Sequence, residues 1–147
     1  MPAQPDLNNP VLGIDTRDIL VTDNDAVPSG LVLTASLPIT VSVTFEVGGL
    51  TLPLLHDTPF RVTYAFASLS GTSDVTRLVD GRLVTRPAPA KTVYSGADTD
   101  VVLPAGTLRP GLYQVSAMVQ FPGARGMGAF TTLPVIEVVE GPRTRTS

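Results

Sequence analysis

Residues 31–47 alternate strictly between the two sides of an extended chain. Every odd-numbered position is apolar, and the even positions are polar except Val32 and Pro38. A period of two belongs to a strand, whereas a helix needs a period near 3.6. At about 3.3 Å per residue the segment would span roughly 56 Å, which is too long for one strand of a small domain. Because proline cannot donate to a strand ladder, the sequence predicts two strands that meet at Pro38.

Other segments indicate further strands. They fall at residues 11–21, 50–56, 60–66, 92–94, 99–103, 113–121 and 130–139. In the last of these the apolar parity shifts around Pro134, which predicts a bulge or a change of sheet. No stretch of ten residues favours a helix, and the chain holds 19 Val and 18 Thr but only 3 Glu and 1 Lys. About eight short strands separated by turns are typical of a β-sandwich or barrel.

The dipeptide Asp80-Gly81 gives the strongest local turn signal. Apolar residues flank it on both sides, at Leu78-Val79 and Leu83-Val84. A two-residue type I′ loop needs positive φ at both central positions, which Asp-Gly supplies. We therefore expect a hairpin tip at Asp80 and Gly81.

Residues 108–119 read LRPGLYQVSAMV. This stretch resembles the L-x-P-G-x-Y-x-V-x-A segment that opens strand F of fibronectin type III and other immunoglobulin-like domains. The resemblance implies an all-β, immunoglobulin-like β-sandwich of about seven to nine antiparallel strands. It also implies that Pro110 and Gly111 form a turn and that Tyr113 makes a tyrosine corner, its hydroxyl bonded to an upstream backbone group. A fold so widely reused implies no activity.

The chain divides into three parts by composition. Residues 1–27 predict an extended N-terminal arm with a possible edge strand, because Pro2, Pro5 and Pro10 disfavour a helix. Residues 28–142 predict the sandwich, and residues 143–147 a polar tail. Arms of this kind can pair with the sheet edge of a neighbouring subunit.

Charge and composition exclude several classes of function. The 147 residues carry a formal charge of −3, with ten scattered basic residues and no cysteine. Nucleic-acid binding is disfavoured without a basic stripe, and thiol chemistry is impossible. No apolar run is long enough for a membrane helix, and the N-terminus does not resemble a signal peptide. We expect cytoplasmic synthesis, with possible incorporation into a particle.

Catalytic, cofactor and metal sites find little support. His56 is the chain's one histidine, and adjacent residues such as His56 and Asp57 point to opposite faces of an extended chain, which disfavours a catalytic triad. The sequences Asp23-Asn24-Asp25 and Asp98-Thr99-Asp100 faintly resemble calcium-binding linker motifs of cadherins. Asx-turns and strand-end caps explain the same residues, so we expect no enzyme activity, no cofactor and no resident metal.

Partner contacts are expected at two places. The glycine-rich loop of residues 122–128 offers Arg125 and Met127, residue types that suit contacts. The arm offers Val11, Leu12 and Ile14 for association with a protein partner or a second copy. The resulting hypothesis is a non-enzymatic structural or protein-interaction subunit, for example of a virion, phage tail or similar large assembly.

An alternative is a carbohydrate- or ligand-binding accessory module. Sugar binding needs exposed aromatic rings, and most phenylalanines fall on the apolar parity of strands. Tyr94 is the one obvious aromatic residue that the strand alternation does not assign to the core. Exposure of Tyr94 would favour this alternative, and burial would weaken it.

Overall fold

The computed structural model describes residues 13–23, 32–49, 51–122 and 128–140. These residues form nine strands and two short 3₁₀ helices, Leu52–Leu54 and Gly96–Asp98. The strands are β1 (Gly13–Thr22), β2 (Val32–Thr34), β3 (Ile39–Gly48), β4 (Pro59–Ser68), β5 (Val75–Arg82), β6 (Val93–Tyr94), β7 (Val101–Leu103), β8 (Gly111–Gln120) and β9 (Gly128–Val139). The prediction of an all-β chain is confirmed.

The strands form two sheets. One has four strands in the order β1-β3-β6, with β7 also paired to β3, and the other has five in the order β2-β9-β8-β4-β5. The break predicted at Pro38 is confirmed, because β2 and β3 lie on either side of it and belong to different sheets. β2 runs parallel to β9, so the expectation of purely antiparallel strands is wrong at this pair.

The inner faces of the two sheets share one core, consistent with a β-sandwich. Alternate residues of β3, β4 and β8 are almost completely buried, as their period of two predicts. The Phe45 ring on β3 meets Phe60 on β4 edge-on, with 5.0 Å between ring centroids. It also stacks on Tyr94, at 5.1 Å. Aromatic contacts therefore join both sheets at one end of the core.

Two bulges adjust which side chains face this core. On β9 one extra residue lies between Leu133 and Ile136, which pair with Val115 and Tyr113. This is the irregularity predicted around Pro134. On β1 an extra residue lies between Thr16 and Ile19. Each bulge reverses the parity of its strand, so residues an odd number apart both reach the core.

The hairpin expected at Asp80-Gly81 is wrong. β5 runs unbroken through both residues, and they pair with Arg61 and Phe60 of β4. A Cβ atom on Gly81 would lie 2.3 Å from Phe60 Cζ, so the glycine makes room for a core ring. Tertiary packing thus overrides the local turn preference. Within the strand expected at residues 50–56, a 3₁₀ helix occupies Leu52–Leu54 instead.

Tyr113 joins the beginning of β8 to the loop before it. Its hydroxyl donates to the carbonyl oxygen of Arg109 at 2.7 Å and accepts from the Thr72 hydroxyl at 3.0 Å. Gly111 adopts φ +154°, and a Cβ there would lie 3.2 Å from Ser70 Cβ. The Pro110-Gly111 turn therefore brings the chain close to the loop after β4, and the buried phenol holds it there.

Candidate interaction surface

The outer face of the five-stranded sheet carries a row of apolar side chains across four strands. The pairing aligns Phe130 on β9 with Met118 on β8, and Met118 with Thr63 on β4. Thr63 in turn pairs with Leu78 on β5. Phe130 is 58% exposed, Leu78 53% and Met118 38%. We call Phe130, Met118, Thr63 and Leu78 the apolar row.

On the side toward the beginning of β8, the row next to the apolar row carries no charge, whereas on the other side the adjacent row holds Arg61 and Asp80. The next rows hold small or neutral side chains at Thr132, Ser116, Ala65 and Thr76, and then at Gln114 and Ala67. Uncharged side chains cost little to desolvate compared with ions. The middle of this face can therefore be covered by another flat surface without burying an unpaired charge.

One end of the face is closed by an ion pair. Arg61 Nε donates to Asp80 Oδ1 at 2.8 Å across the β4–β5 pair. This hydrogen bond raises the pKa of Arg61 and lowers the pKa of Asp80. Next to the pair, Arg82 donates to the carbonyl oxygen of Asp57 at 2.7 Å. Both guanidinium groups are engaged within the chain.

A shallow depression of about 270 Å³ lies at this charged end. Its lining comprises Pro59, Phe60, Arg61, Asp80, Gly81, Arg82 and Pro122. The depression is open to solvent beside the end of β8.

The backbone of β5 forms one edge of the five-stranded sheet. Leu83 bonds on the β4 side, where its N–H donates to Thr58 and its carbonyl accepts from Asp57. Val84 bonds on the other side, to Lys91 and to the Tyr94 hydroxyl. Successive backbone groups alternate along a strand, so the even-numbered residues of β5 direct their N–H and C=O groups away from β4. Among the described residues, no backbone group bonds to those of Leu78, Asp80 or Arg82.

The edge of β1 differs, although the strand is longer. Its bulge places Arg17 and Asp18 at the surface, and Arg17 forms an ion pair with Glu46. β1 contacts β9 of the other sheet and β5 contacts β7, so the distinguishing feature of β1 is its bulge. Ile14 pairs with Val47 and is 3% exposed. It belongs to the core, which corrects its interpretation as a partner contact.

The other expected contact residues lie outside the described part of the chain. These are Val11 and Leu12 of the arm and Arg125 and Met127 of the loop. They stay predictions. The sequence does not predict the apolar row. Leu78 and Met118 alternate with core residues, but Phe130 shares the parity of the buried Ile136 and faces outward only because of the β9 bulge. The strand register aligns the three side chains.

His56 has a structural hydrogen bond. Its Nδ1 accepts from the backbone N–H of Thr85 at 3.1 Å, and its Nε2 lies 3.8 Å from Asp57 Oδ1. The Thr85 hydroxyl donates to the carbonyl oxygen of Pro53. The imidazole therefore ties the 3₁₀ helix after β3 to the chain beyond β5, and its Nδ1 lone pair is used for this contact.

One aspartate of each calcium-like motif makes a structural contact, and Asn24 and Asp25 lie outside the described residues. Asp23 is 3% exposed and accepts from the backbone N–H of Thr34 at 2.9 Å. Asp98 accepts from Ser95 N–H in a capping box and pairs with Lys91 at 2.9 Å. Among the described residues no three His, Cys, Asp or Glu side chains form a group that could hold a metal ion.

The tyrosines lie inside the sandwich. Tyr94 is 1% exposed, and burial is the main cause that raises its pKa. Tyr64 donates to the carbonyl oxygen of Thr99 at 2.5 Å. Burial raises the pKa of Tyr64 to about 12. Because Tyr94 is buried, it offers no stacking platform for a sugar.

No model of a known protein family matches this chain, and no curated protein matches its sequence. In the described residues no helix is long and apolar enough to span a membrane.

Proposed function

We propose that this chain is a non-enzymatic structural or protein-interaction subunit that assembles with further copies of itself. The assembling surface is the outer face of the five-stranded sheet. A large particle such as a virion or phage tail is the setting that suits such a subunit. We also propose that the sandwich is immunoglobulin-like.

The observation that carries the proposal is the apolar row, which lies between a row of small neutral side chains and the paired charges of Arg61 and Asp80. Three large apolar side chains, Phe130, Met118 and Leu78, are aligned across four strands and stay exposed. Single exposed apolar residues are ordinary, whereas contiguous apolar patches mark interaction sites. Phe and Met are both enriched where proteins meet. The flat face also suits packing of one sheet on another, at about 10 Å separation.

The immunoglobulin-like assignment is supported by Tyr113. In that family the corner tyrosine begins a central strand and bonds to a backbone group a few residues upstream. Here Tyr113 lies near the beginning of β8, and its hydroxyl bonds to Arg109 O. β8 lies between β9 and β4, inside the five-stranded sheet.

The ligand-binding alternative is favoured by one specific observation. Phe130 is an exposed ring on a flat face, with Gln120 and Thr132 near it on the same side of the sheet. Sugars stack on such rings. The alternative lacks the second ring expected at Tyr94, since that side chain is buried.

Sedimentation velocity over a range of concentrations tests the assembly proposal. The weight-average mass of the wild-type chain should rise with concentration. Met118→Lys should raise the concentration needed for the same mass at least tenfold, because it places a charge at the centre of the apolar row. Leu54→Lys is the matched control, since Leu54 is 77% exposed and lies on the 3₁₀ helix away from this face.

Two outcomes would contradict the proposal. One is a wild-type chain that stays monomeric up to its solubility limit. The other is a Met118→Lys variant that assembles like the Leu54→Lys control. Retardation of the chain by a soluble polysaccharide in affinity electrophoresis, lost in Phe130→Ala, would favour the ligand-binding alternative instead.

A further inference from the structure

We propose that the first step of this assembly is an edge-to-edge dimer, in which β5 pairs antiparallel with β5 of a second copy around a twofold axis at Leu78. This inference rests on the proposed function and names the contact that begins it. The two five-stranded sheets would join into one continuous sheet of ten strands.

The backbone of β5 is prepared for such pairing. The register between β4 and β5 is continuous over eight residue pairs, from Pro59↔Arg82 to Phe66↔Val75. β5 therefore has no bulge to turn its edge away, and it contains no proline. Edge strands that avoid association are commonly short, bulged or interrupted by proline. Of the charges on β5, Asp80 is held by Arg61 and Arg82 by Asp57 O, and the exposed Arg77 donates to Thr76 O at the edge itself.

The direction of the backbone groups limits the possible registers. An antiparallel pair bonds only where outward-directed residues face each other. On β5 these are the even-numbered residues, so both members of each hydrogen-bonded pair between the two copies must be even-numbered. A twofold axis at Leu78 meets this condition. It forms two hydrogen bonds between the two Leu78 residues and two more at each Thr76–Asp80 pair.

The side chains favour this register over its neighbours. With the axis at Leu78, the two Leu78 side chains meet, and each Thr76 hydroxyl faces Asp80 of the second copy. Asp74, just before β5, faces Arg82 of the second copy, so opposite charges meet twice. An axis at Val79 would place Leu78 beside Asp80 instead. Arg77 now donates to the carbonyl oxygen of Thr76 at 2.9 Å, and it would yield this acceptor to the incoming amide of Asp80.

The dimer would also lengthen the surface that the proposed function uses. Leu78 ends the apolar row at the β5 edge, so the twofold axis joins two rows end to end. At about 4.8 Å between strands, the row would grow from about 14 Å across four strands to about 34 Å across eight. One contact would thus double the face on which further copies pack.

A single cysteine tests the register, because the natural chain has none. Facing residues in a bonded antiparallel pair have Cα atoms about 5.5 Å apart, within the span of a disulfide. Leu78→Cys should form a cross-linked dimer under mild oxidation. Thr76→Cys is the matched control, since in this register each Thr76 faces Asp80 and lies far from the other Thr76. Equal cross-linking of the two variants, or none in Leu78→Cys, would overturn the proposal.

A second variant separates this inference from the proposed function. Leu78→Pro removes an outward N–H and should keep the fold while weakening dimerisation at least tenfold by sedimentation. Met118→Lys should leave the dimer intact and remove only larger species. If Met118→Lys abolishes association but Leu78→Pro associates like wild type, the edge dimer is wrong. Assembly through the outer face of the five-stranded sheet would then still hold. A chain that is monomeric throughout overturns both.

Discussion

The two long edge strands, β1 and β5, differ in how they expose backbone hydrogen-bonding groups. β1 contains a bulge and presents Arg17 and Asp18 at it. β5 keeps an unbroken register with β4 and directs unbonded backbone groups outward among the described residues. β5 is therefore the long edge strand to which a partner strand can add.

The largest effect should come from a proline scan of β5. Val79 directs its N–H toward β4, so Val79→Pro removes a ladder hydrogen bond and leaves the facing carbonyl unpaired, a loss of about 1 to 3 kcal/mol to which the lost packing of the Val79 side chain adds. Leu78 directs its N–H outward, so Leu78→Pro should cost much less. Urea unfolding of both variants measures the difference. Equal losses would mean that the outward side of β5 is bonded as well.

A pH titration sharpens the comparison on the inner side of β5. Tyr64 pairs with Arg77, and burial raises its pKa from 10.0 to about 12. Above pH 10 the unfolded chain loses the phenol proton first, so stability present below pH 10 falls between pH 10 and 12, by about 2 to 3 kcal/mol. Tyr64→Phe should flatten this fall in urea midpoints measured from pH 8 to 12. If the wild-type chain lost no stability between pH 8 and 12, the core beneath β5 would be open to water.

Gly81→Ala tests whether β5 continues to its end as a strand. The added methyl would meet Phe60 Cζ at 2.3 Å, and overpacking of this kind costs about 1 to 3 kcal/mol. Thermal unfolding should show the loss, with Gly106→Ala as a comparison at a surface turn where nothing lies within 4 Å of the added atom. Because Gly106 has φ +86°, its own loss reflects backbone strain alone. If Gly81→Ala were as stable as the wild-type chain, the Phe60 ring would not lie against Gly81.

The smallest effect is expected at the β1 bulge. Arg17 is half exposed and pairs with Glu46 at the surface, and exposed ion pairs contribute at most about 1 kcal/mol. Arg17→Ala should therefore change the unfolding midpoint little and should not create a new association in sedimentation. If Arg17→Ala formed new dimers, and the double variant with Leu78→Pro still formed them, the ion pair rather than the bulge would be what protects β1 from pairing with another chain.

The sequence predicts the inward-facing half of this molecule well. The alternation in residues 31–47, 60–66 and 113–121 identifies core residues, because burial on one face leaves a period of two. The parity shift near Pro134 likewise predicts the β9 bulge. The strand break at Pro38 follows from chain length and proline chemistry.

The outward-facing half depends on register, which local patterns do not specify. Phe130 becomes exposed because the β9 bulge reverses its parity relative to Ile136. Leu78 reaches the surface at an edge because Asp80-Gly81 continues the strand, and only the Phe60 ring explains why. The candidate surface arises from the alignment of four strands that are distant in sequence, so no single motif predicts it.

Amide hydrogen exchange measured residue by residue along β5 tests whether this edge is unpaired in the monomer and paired in the dimer. In dilute, monomeric chain we expect slow exchange at Arg77, Val79 and Gly81 and fast exchange at Leu78, Asp80 and Arg82. At concentrations where the chain associates, the amides of Leu78 and Asp80 should become protected while those of β1 do not change. Uniform protection along β5 in the monomer would contradict an open edge, and an unchanged pattern on association would contradict the β5 dimer.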